Sequence, residues 1–234
     1  MALACRQPVP RIDSAAADRA FDLVVFDWDG TLVDSTTLIA DSIQAACREM
    51  GEPPPGDDAA RYVIGLGFTH AVGHVAPGLA PAAYPAFSAV YRRHYMAGEP
   101  AVPLFEGVPA LLRELDAAGY RLAVATGKSR AGLDQVMARC GVAQAFHATR
   151  CADEGEPKPH PDMLLTLMAR LDATPARTLM IGDTTHDLEL ARNAGAQGVA
   201  VGYGAHPKAA LAAHAPLAVV ESVAELRAWL AAHG

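Results

Sequence analysis

The segment Val24-Val25-Phe26-Asp27-Trp28-Asp29-Gly30-Thr31 places two carboxylates one residue apart, where an apolar strand runs into a Gly-Thr turn. Side chains two positions apart in an extended chain point to the same side, so Asp27 and Asp29 can face one small target. Two carboxylates held that close raise each other's pKa unless a cation lies between them. A hard ion such as Mg²⁺ is the usual partner for such oxygen ligands. The simpler interpretation is a surface turn with two solvated acids, since Asp and Gly are common turn residues.

The composition is that of an ordinary globular protein. The chain has 234 residues, of which 51% are hydrophobic and 19% are charged, and its formal net charge is −7. A negative surface disfavours nonspecific binding to nucleic acid or to an anionic membrane. No apolar run approaches the ~20 residues that cross a bilayer. We therefore expect neither nucleic acid nor a membrane as a partner.

Residues 1–20 are interpreted as a loose N-terminal extension, because they contain Arg6 and Arg11 and lack the apolar core of a secretory signal. The chain has four cysteines with no CxxC or metal-finger spacing: Cys5, Cys47, Cys140 and Cys151. They are interpreted as reduced thiols, and a cytoplasmic location is expected.

Short apolar runs alternate with helical patterns through the second half of the chain. The predicted strands are residues 120–125, 177–181, 198–201 and 217–220, and the predicted helices are residues 130–139, 185–193 and 223–232. Such alternation is typical of βαβ units and of a parallel sheet covered on both faces. The sequence thus predicts an α/β fold.

Residues 36 to about 97 differ, because they show helical spacing without a convincing strand. One helix ends near Met50, where Gly51 and three prolines follow, and another runs from Ala83 to Met96. We expect an α-helical domain at 36–97, inserted into an α/β core formed by 21–35 and 98–234.

Four groups of polar residues follow predicted strands or lie in loops of the core. They are Asp27 with Asp29, Thr126-Gly127-Lys128, Lys158 within a proline-rich loop, and Gly182 to Asp187. In open parallel sheets the ligand site lies outside the carboxyl ends of the strands, so these groups can converge in space.

The chemistry of the four groups is complementary. Thr126 and the Gly127 amide can donate hydrogen bonds to phosphate oxygens, and Lys158 supplies a positive charge. Asp183 can complete a metal shell, with Asp187 as a second ligand or an orienting group. Each piece also has a simpler interpretation as a helix cap or a solvated loop residue.

Together these motifs resemble those of haloacid dehalogenase (HAD) superfamily hydrolases with a helical cap of subclass IA. The resemblance runs from Phe21 to Gly234 and includes DxDGT, the strand-end Thr, the KPxP lysine and GDxxxD. The chain is most similar to the phosphoglycolate phosphatase-like group. The resemblance implies a Rossmann-like core with a parallel sheet, helices on both faces and an inserted α-helical cap domain.

The resemblance also implies the roles of the site residues. Asp27 would be the nucleophile that forms an aspartyl phosphate, and Asp29 the general acid and then the general base. Mg²⁺ would be held by Asp27, Asp183 and the Asp29 backbone carbonyl. Thr126, Gly127 and Lys158 would stabilise the transferring phosphoryl group.

The residue type at position 29 indicates the bond that is cleaved. Relatives that cleave carbon–halogen bonds have Tyr at this position, and relatives that cleave carbon–phosphorus bonds have Ala. An Asp supplies the proton that a poor alkoxide leaving group requires, so we expect phosphate esters as substrates.

Substrate choice is expected to depend on the cap loop from Val63 to Phe68, with Gly65 and His70 as candidate binding residues. The glycines permit close backbone approach to a ligand, although Gly65 can equally serve a turn and His70 the surface. We expect a small phosphorylated metabolite as the partner and a monomer, with a dimer as the alternative.

The leading functional hypothesis is hydrolysis of 2-phosphoglycolate. A β-phosphoglucomutase-like sugar phosphomutase, or another sugar-phosphate phosphatase, would share the whole catalytic set. A hypothesis from a different class is a non-catalytic regulatory or binding module on the same fold.

Overall fold

A six-stranded parallel sheet forms the centre of the protein in the computed structural model, which describes residues 19–234. The strands are β1 (Leu23–Phe26), β2 (Arg121–Thr126), β3 (Ala148–Cys151), β4 (Thr178–Gly182), β5 (Gln197–Val201) and β6 (Val219–Val220). Their order in the sheet is β3-β2-β1-β4-β5-β6, and each neighbouring pair is parallel. The carboxyl ends of all strands therefore lie at one edge of the sheet.

Helices cover both faces of this sheet. They are α5 (Val108–Ala117), α6 (Arg130–Cys140), α7 (Asp162–Arg170), α8 (Thr185–Asn193), α9 (Lys208–Ala213) and α10 (Val223–His233). Val24 and Phe26 pack in one apolar cluster with α5, α6 and α10. Leu23 and Val25 pack in a second cluster with α7 and α8. Because alternate residues of β1 are buried on opposite faces, the α/β prediction is confirmed.

Four further helices lie between β1 and α5: α1 (Thr36–Glu49), α2 (Asp57–Tyr62), α3 (Phe68–Val75) and α4 (Tyr84–Gly98). They share an apolar cluster of their own, and the described residues between Thr36 and Gly98 contain no strand. The two connections to the sheet run side by side, since Asp34 N donates to Pro103 O at 3.1 Å and Phe105 N donates to Leu32 O at 3.0 Å. The expected helical insertion is therefore present as a separate layer.

The sequence patterns missed β3, α5, α7 and α9. Strand β3 is at the edge of the sheet, and its central residues Thr149 and Arg150 are only half-buried. An edge strand need not be apolar, so it leaves little periodic signal. The predicted strand at residues 217–220 is shorter in the structure and pairs only at Val219 and Val220.

The extension predicted at residues 1–20 lies almost wholly outside the described residues, as does Cys5. Cys47, Cys140 and Cys151 are free thiols. Among residues 19–234, no helix combines the length and the apolar character needed to cross a bilayer.

The packing of the core predicts how two leucine substitutions, one buried and one exposed, change the free energy of unfolding. Leu111 on α5 is fully buried, so Leu111→Ala is expected to lower the free energy of unfolding by about 2–5 kcal/mol. Leu165 on α7 is 48% exposed, and Leu165→Ala is expected to change it by less than ~0.5 kcal/mol. Urea unfolding of both variants measures the difference, and equal losses would contradict the assigned packing of α5.

Candidate active site

Asp27 lies directly after β1, in the middle of the sheet edge, and its side chain is almost completely buried. Its backbone amide donates to Ile181 O on the neighbouring strand β4 at 2.9 Å, which fixes the position of the residue. Loss of hydration raises the pKa of Asp27 to about 7, although the Lys158 ammonium opposes this effect. The carboxyl group is thus held where only a close cation or an incoming ligand can compensate for lost water.

Lys158 supplies part of that compensation from a proline-rich loop. Its side chain is fully buried, with Nζ 2.8 Å from Asp27 Oδ1 and 2.7 Å from Asp187 Oδ1. Burial alone would lower the pKa of Lys158, but Asp187 and Asp27 raise it above its ordinary value. Lys158 is therefore an ammonium ion at the centre of the site.

Asp183 and Asp187 come from the turn after β4 and the first turn of α8. Thr184 and Asp187 form a capping box that begins α8, and this box orients the Asp187 carboxylate. Asp183 accepts hydrogen bonds from Thr31 Oγ1 at 2.8 Å and from Ala205 N at 2.7 Å. Burial, together with the nearby Asp27 and Asp187, raises the pKa of Asp183 well above its ordinary value.

The donor set fits a divalent cation. Carboxylate oxygens of Asp27, Asp183 and Asp187 lie within 4.8 Å of one another, and all three residues are buried. Both oxygens of Asp27 lack a hydrogen bond of good geometry, whereas both oxygens of Asp187 are engaged by Lys158 and Thr184. Together with Asp29, four carboxylates face two lysines, so the site has an excess of negative charge. Oxygen ligands with excess negative charge are the environment that Mg²⁺ prefers.

Asp29 is also buried, and its carboxylate faces a different set of partners. Ser35 Oγ donates to Asp29 Oδ1 at 2.6 Å, and Lys128 Nζ lies 3.1 Å from the same atom. The sequence analysis included Lys128 in a polar strand-end group but assigned no role to it or to Ser35. The signal was present for both, because Lys128 follows Thr126-Gly127 and Ser35 follows the DxDGT turn.

Lys128 connects Asp29 to the helical insertion. Its Nζ donates to Tyr95 Oη on α4 at 2.9 Å and lies 4.6 Å from the centre of the Tyr95 ring. Burial by itself would lower the pKa of Lys128, but Asp29, Tyr91 and Glu99 together outweigh this effect and the pKa is raised. One ammonium group thus joins a core carboxylate to a residue of the insertion.

Thr126 and Gly127 lie at the end of β2, next to Asp27. Thr126 is buried, and its Oγ1 accepts a hydrogen bond from Lys128 N at 3.1 Å. A Cβ atom on Gly127 would lie only 2.9 Å from the carbonyl carbon and oxygen of Gly65. The absence of a side chain at Gly127 therefore allows the insertion to contact the core directly.

Gly65 lies over the site, whereas His70 does not. Gly65 has φ +88°, and a Cβ atom there would be 4.0 Å from Asp27 Oδ2. His70 is exposed on α3 and is not among the described residues that line the cavity above Asp27. The sequence analysis named His70 as a candidate binding residue, and the structure instead places it at the surface. The reason is that α3 turns its first polar residues toward solvent.

Two histidines that the sequence analysis did not single out also join the insertion to the core. The Tyr62 carbonyl oxygen accepts from His186 Nε2 at 2.7 Å and from His206 Nε2 at 3.1 Å. Loss of hydration lowers the pKa of both imidazoles, so the neutral form is favoured. These contacts hold α2 against the first turn of α8, which contains Asp187, and against the loop that carries His206.

A cavity of about 300 Å³ lies between the insertion and the core and opens onto Asp27 and Asp29. Gly127 and Lys128 form part of its floor, and α1, α3 and α4 form most of its walls. A ligand in this cavity would therefore contact both the buried carboxylates and the helical insertion.

Comparison with solved structures supports the architecture. A protein described as a "predicted phosphoglycolate phosphatase" from Haemophilus somnus 129pt superposes with a TM-score of 0.77 at 26% identity. The match covers 89% of this chain and 97% of that one. The resemblance to phosphoglycolate phosphatase-like proteins, inferred from the motifs, is confirmed.

Two curated relatives show how the sequence is shared. "Probable phosphatase IndB" from Dickeya dadantii is 37% identical over 210 residues, covering 87% of this chain and 91% of its own. "Tyrosine-protein kinase PtkA" from Mycobacterium tuberculosis is 37% identical over 184 residues, which are 78% of this chain and only 62% of that protein. The family model described as haloacid dehalogenase-like hydrolase matches residues 24–201. With the strand-end carboxylates, the buried lysine and the helical insertion in place, the chain belongs to the haloacid dehalogenase-like hydrolases.

Proposed function

We propose that the protein is a Mg²⁺-dependent phosphomonoester hydrolase that works through an aspartyl phosphate on Asp27. The observation that carries this proposal is the state of Asp27. Its carboxylate is buried, has no well-formed hydrogen bond and is next to the Lys158 ammonium. A carboxylate with free lone pairs, facing a cavity and beside a cation, is well placed for attack on phosphorus.

In the first step an Asp27 carboxylate oxygen forms a bond to phosphorus as the bond to the ester oxygen breaks. Lys158, the Gly127 amide and the Thr126 hydroxyl stabilise the negative charge on the other phosphoryl oxygens. Thr126 Oγ1 accepts a hydrogen bond from Lys128 N, so its own proton is available for this purpose. Asp29 donates a proton to the departing alkoxide.

In the second step Asp29 acts as a base. It removes a proton from water, and the oxygen attacks the phosphorus of the aspartyl phosphate. Inorganic phosphate leaves and the Asp27 carboxylate is regenerated. The Ser35 hydrogen bond at 2.6 Å holds the Asp29 carboxyl group in one orientation through both steps.

The metal would be held by Asp27, Asp183 and the Asp29 backbone carbonyl. When bound, Mg²⁺ supplies positive charge that offsets the repulsion between the nucleophile and the phosphate dianion. Asp187 is better suited to positioning than to ligation, because it orients Lys158 and caps α8. Thr31 and Ala205 orient Asp183.

We assign the cap role to residues 36–97, with the core formed by 21–35 and 98–234. The cap excludes water from the cavity above Asp27, and Gly65 lets its backbone approach the reacting group. On sequence similarity alone, 2-phosphoglycolate is the leading substrate and sugar phosphates are the alternative.

Competing reactions differ in where the phosphoryl group ends. A phosphomutase passes the phosphoryl group to another hydroxyl group instead of water. A protein kinase, which is what the relative PtkA is named as, does the same. In a hydrolase, released phosphate equals the substrate consumed. A regulatory binding module gives no turnover. Measuring phosphate and dephosphorylated product in the same reaction distinguishes these cases.

Asp27→Asn is expected to reduce phosphate release by more than about a thousandfold, because the amide is not a nucleophile. The measurement is turnover of para-nitrophenyl phosphate, with circular dichroism to show that the fold is retained. Substantial activity in a folded variant would remove Asp27 from the nucleophile role.

Asp29→Asn is expected to slow alkyl phosphate hydrolysis by about 10²–10⁴-fold. Aryl phosphates should lose much less in the first step, since their leaving group needs little protonation. Single-turnover rates for a matched alkyl and aryl pair measure this difference, and equal losses would exclude the acid role.

Asp183→Asn is expected to weaken Mg²⁺ binding by more than ~10–100-fold, which is the loss expected for a residue that only hydrogen-bonds to a metal ligand. Asp116→Asn is the control, because Asp116 is exposed on α5 and is not part of the buried cluster of Asp27, Asp183 and Asp187. Calorimetric titration with Mg²⁺ compares the variants without relying on activity. Unchanged binding in Asp183→Asn would contradict the assigned metal site.

A further inference from the structure

We infer that the group attached to the substrate's phosphate is neutral and largely apolar, an alkyl or aryl group instead of a carboxylate or a sugar. This inference rests on the proposed function and names the substrate class of the same site. It comes from the walls of the 300 Å³ cavity that opens onto Asp27 and Asp29.

The cap side of the cavity is hydrophobic on three of its elements. Its apolar lining includes Ile39, Ile43, Ile64, Leu66, Val72 and Phe87. Most of these side chains belong to the apolar cluster of the cap, so the cavity extends from the carboxylates into that cluster. Apolar walls favour apolar ligands in proportion to the surface removed from water.

The charges around the cavity disfavour a carboxylate. Among the described residues that line it, the cations are Lys128 and Arg92. Lys128 is already engaged by Asp29 and Tyr95, and Arg92 lies at the exposed rim. A carboxylate such as that of 2-phosphoglycolate would instead approach Asp29 and Glu99 without a free cation inside the cavity.

Three hydroxyl-bearing residues, Ser88, Tyr91 and Ser129, line the cavity, but the other polar side chains that a sugar could use already have partners. Tyr95 Oη is occupied by Lys128, and Glu99 is paired with Arg139 at 2.9 Å. Gln135 lies 3.5 Å from Glu99 and is directed to it. Sugar hydroxyls pressed against Ile and Val side chains would lose water without gaining partners, which is costly. Both 2-phosphoglycolate and sugar phosphates, the candidates suggested by the sequence, therefore fit the cavity walls less well than an ester with an apolar group.

The test is a series of n-alkyl phosphates from ethyl to hexyl, assayed as kcat/KM with Mg²⁺. The leaving alcohols have nearly constant acidity, so chain length changes burial and little else. Each added methylene is expected to raise kcat/KM about fourfold until the cavity is filled, which corresponds to ~0.8 kcal/mol. Propyl phosphate should exceed 2-phosphoglycolate, which has a similar length, and hexyl phosphate should exceed glucose 6-phosphate.

A flat or falling dependence on chain length would overturn the inference, as would a preference for 2-phosphoglycolate or for the sugar phosphate. Either result would leave the proposed phosphatase reaction standing. No hydrolysis of any ester would instead contradict the proposed function.

In that last case, binding still tests the cavity. Alkyl phosphonates of increasing length, titrated by calorimetry, should bind more tightly with each methylene. Affinity that does not rise with length would overturn the inference independently of turnover.

A matched pair of variants tests the wall directly. Leu66 lines the cavity and is half-buried, whereas Leu165 is 48% exposed on α7 and is not among the lining residues. Leu66→Arg should lower kcat/KM for hexyl phosphate at least tenfold and raise it for 2-phosphoglycolate, and Leu165→Arg should change neither. Equal effects of the two variants, or no change in Leu66→Arg, would overturn the inference.

Discussion

The structure depends on holding several carboxylates together at the buried edge of a sheet. Asp27, Asp183 and Asp187 are all removed from water, which is unfavourable for charged groups unless cations are close. Lys158 lies between two of them, and backbone or hydroxyl donors satisfy the oxygens of Asp183 and Asp187. Asp27 is the member of the group left without such donors, which is why the proposed mechanism places the nucleophile there.

The parallel sheet makes this arrangement possible. Strands β1, β2 and β4 are neighbours, so their carboxyl ends bring together Asp27, Thr126 and Asp183, which are more than 50 positions apart in the chain. The contact between cap and core is the second structural feature on which the site depends, after the parallel sheet. Lys128 bridges Asp29 and Tyr95, while the Tyr62 carbonyl receives two imidazole donors. The cap is thus held over the carboxylates by charged and polar contacts, while its interior stays apolar.

Core and cap carry different information about function. In the proposed mechanism, the strand-end residues account for the reaction type. The cavity wall comes mostly from the cap, and it bears on which ester is accepted. Similar folds can act on different substrates, because substrate choice depends on the residues of the site. A likeness to phosphoglycolate phosphatases therefore informs the chemistry of the core more than the occupant of the cavity.

The sequence by itself determined the α/β alternation, the helical insertion and the strand-end position of Asp27, Thr126 and Asp183. These features follow from local hydrophobic periodicity and from the rule that ligand sites lie at the carboxyl ends of parallel strands. The sequence analysis did not predict edge strand β3, because a half-exposed edge strand has no strong hydrophobic periodicity. The strand-end residues do lie together, as that rule predicts.

Only the tertiary structure decided how the cap meets the core. It placed Lys128 on Asp29, brought Gly65 against Gly127 and left His70 in solvent. It also showed that the cap side of the cavity is largely apolar, which no single segment indicates. The physical reason is that these contacts join residues distant in sequence, and their partners depend on how two separately packed layers of helices and strands dock on each other.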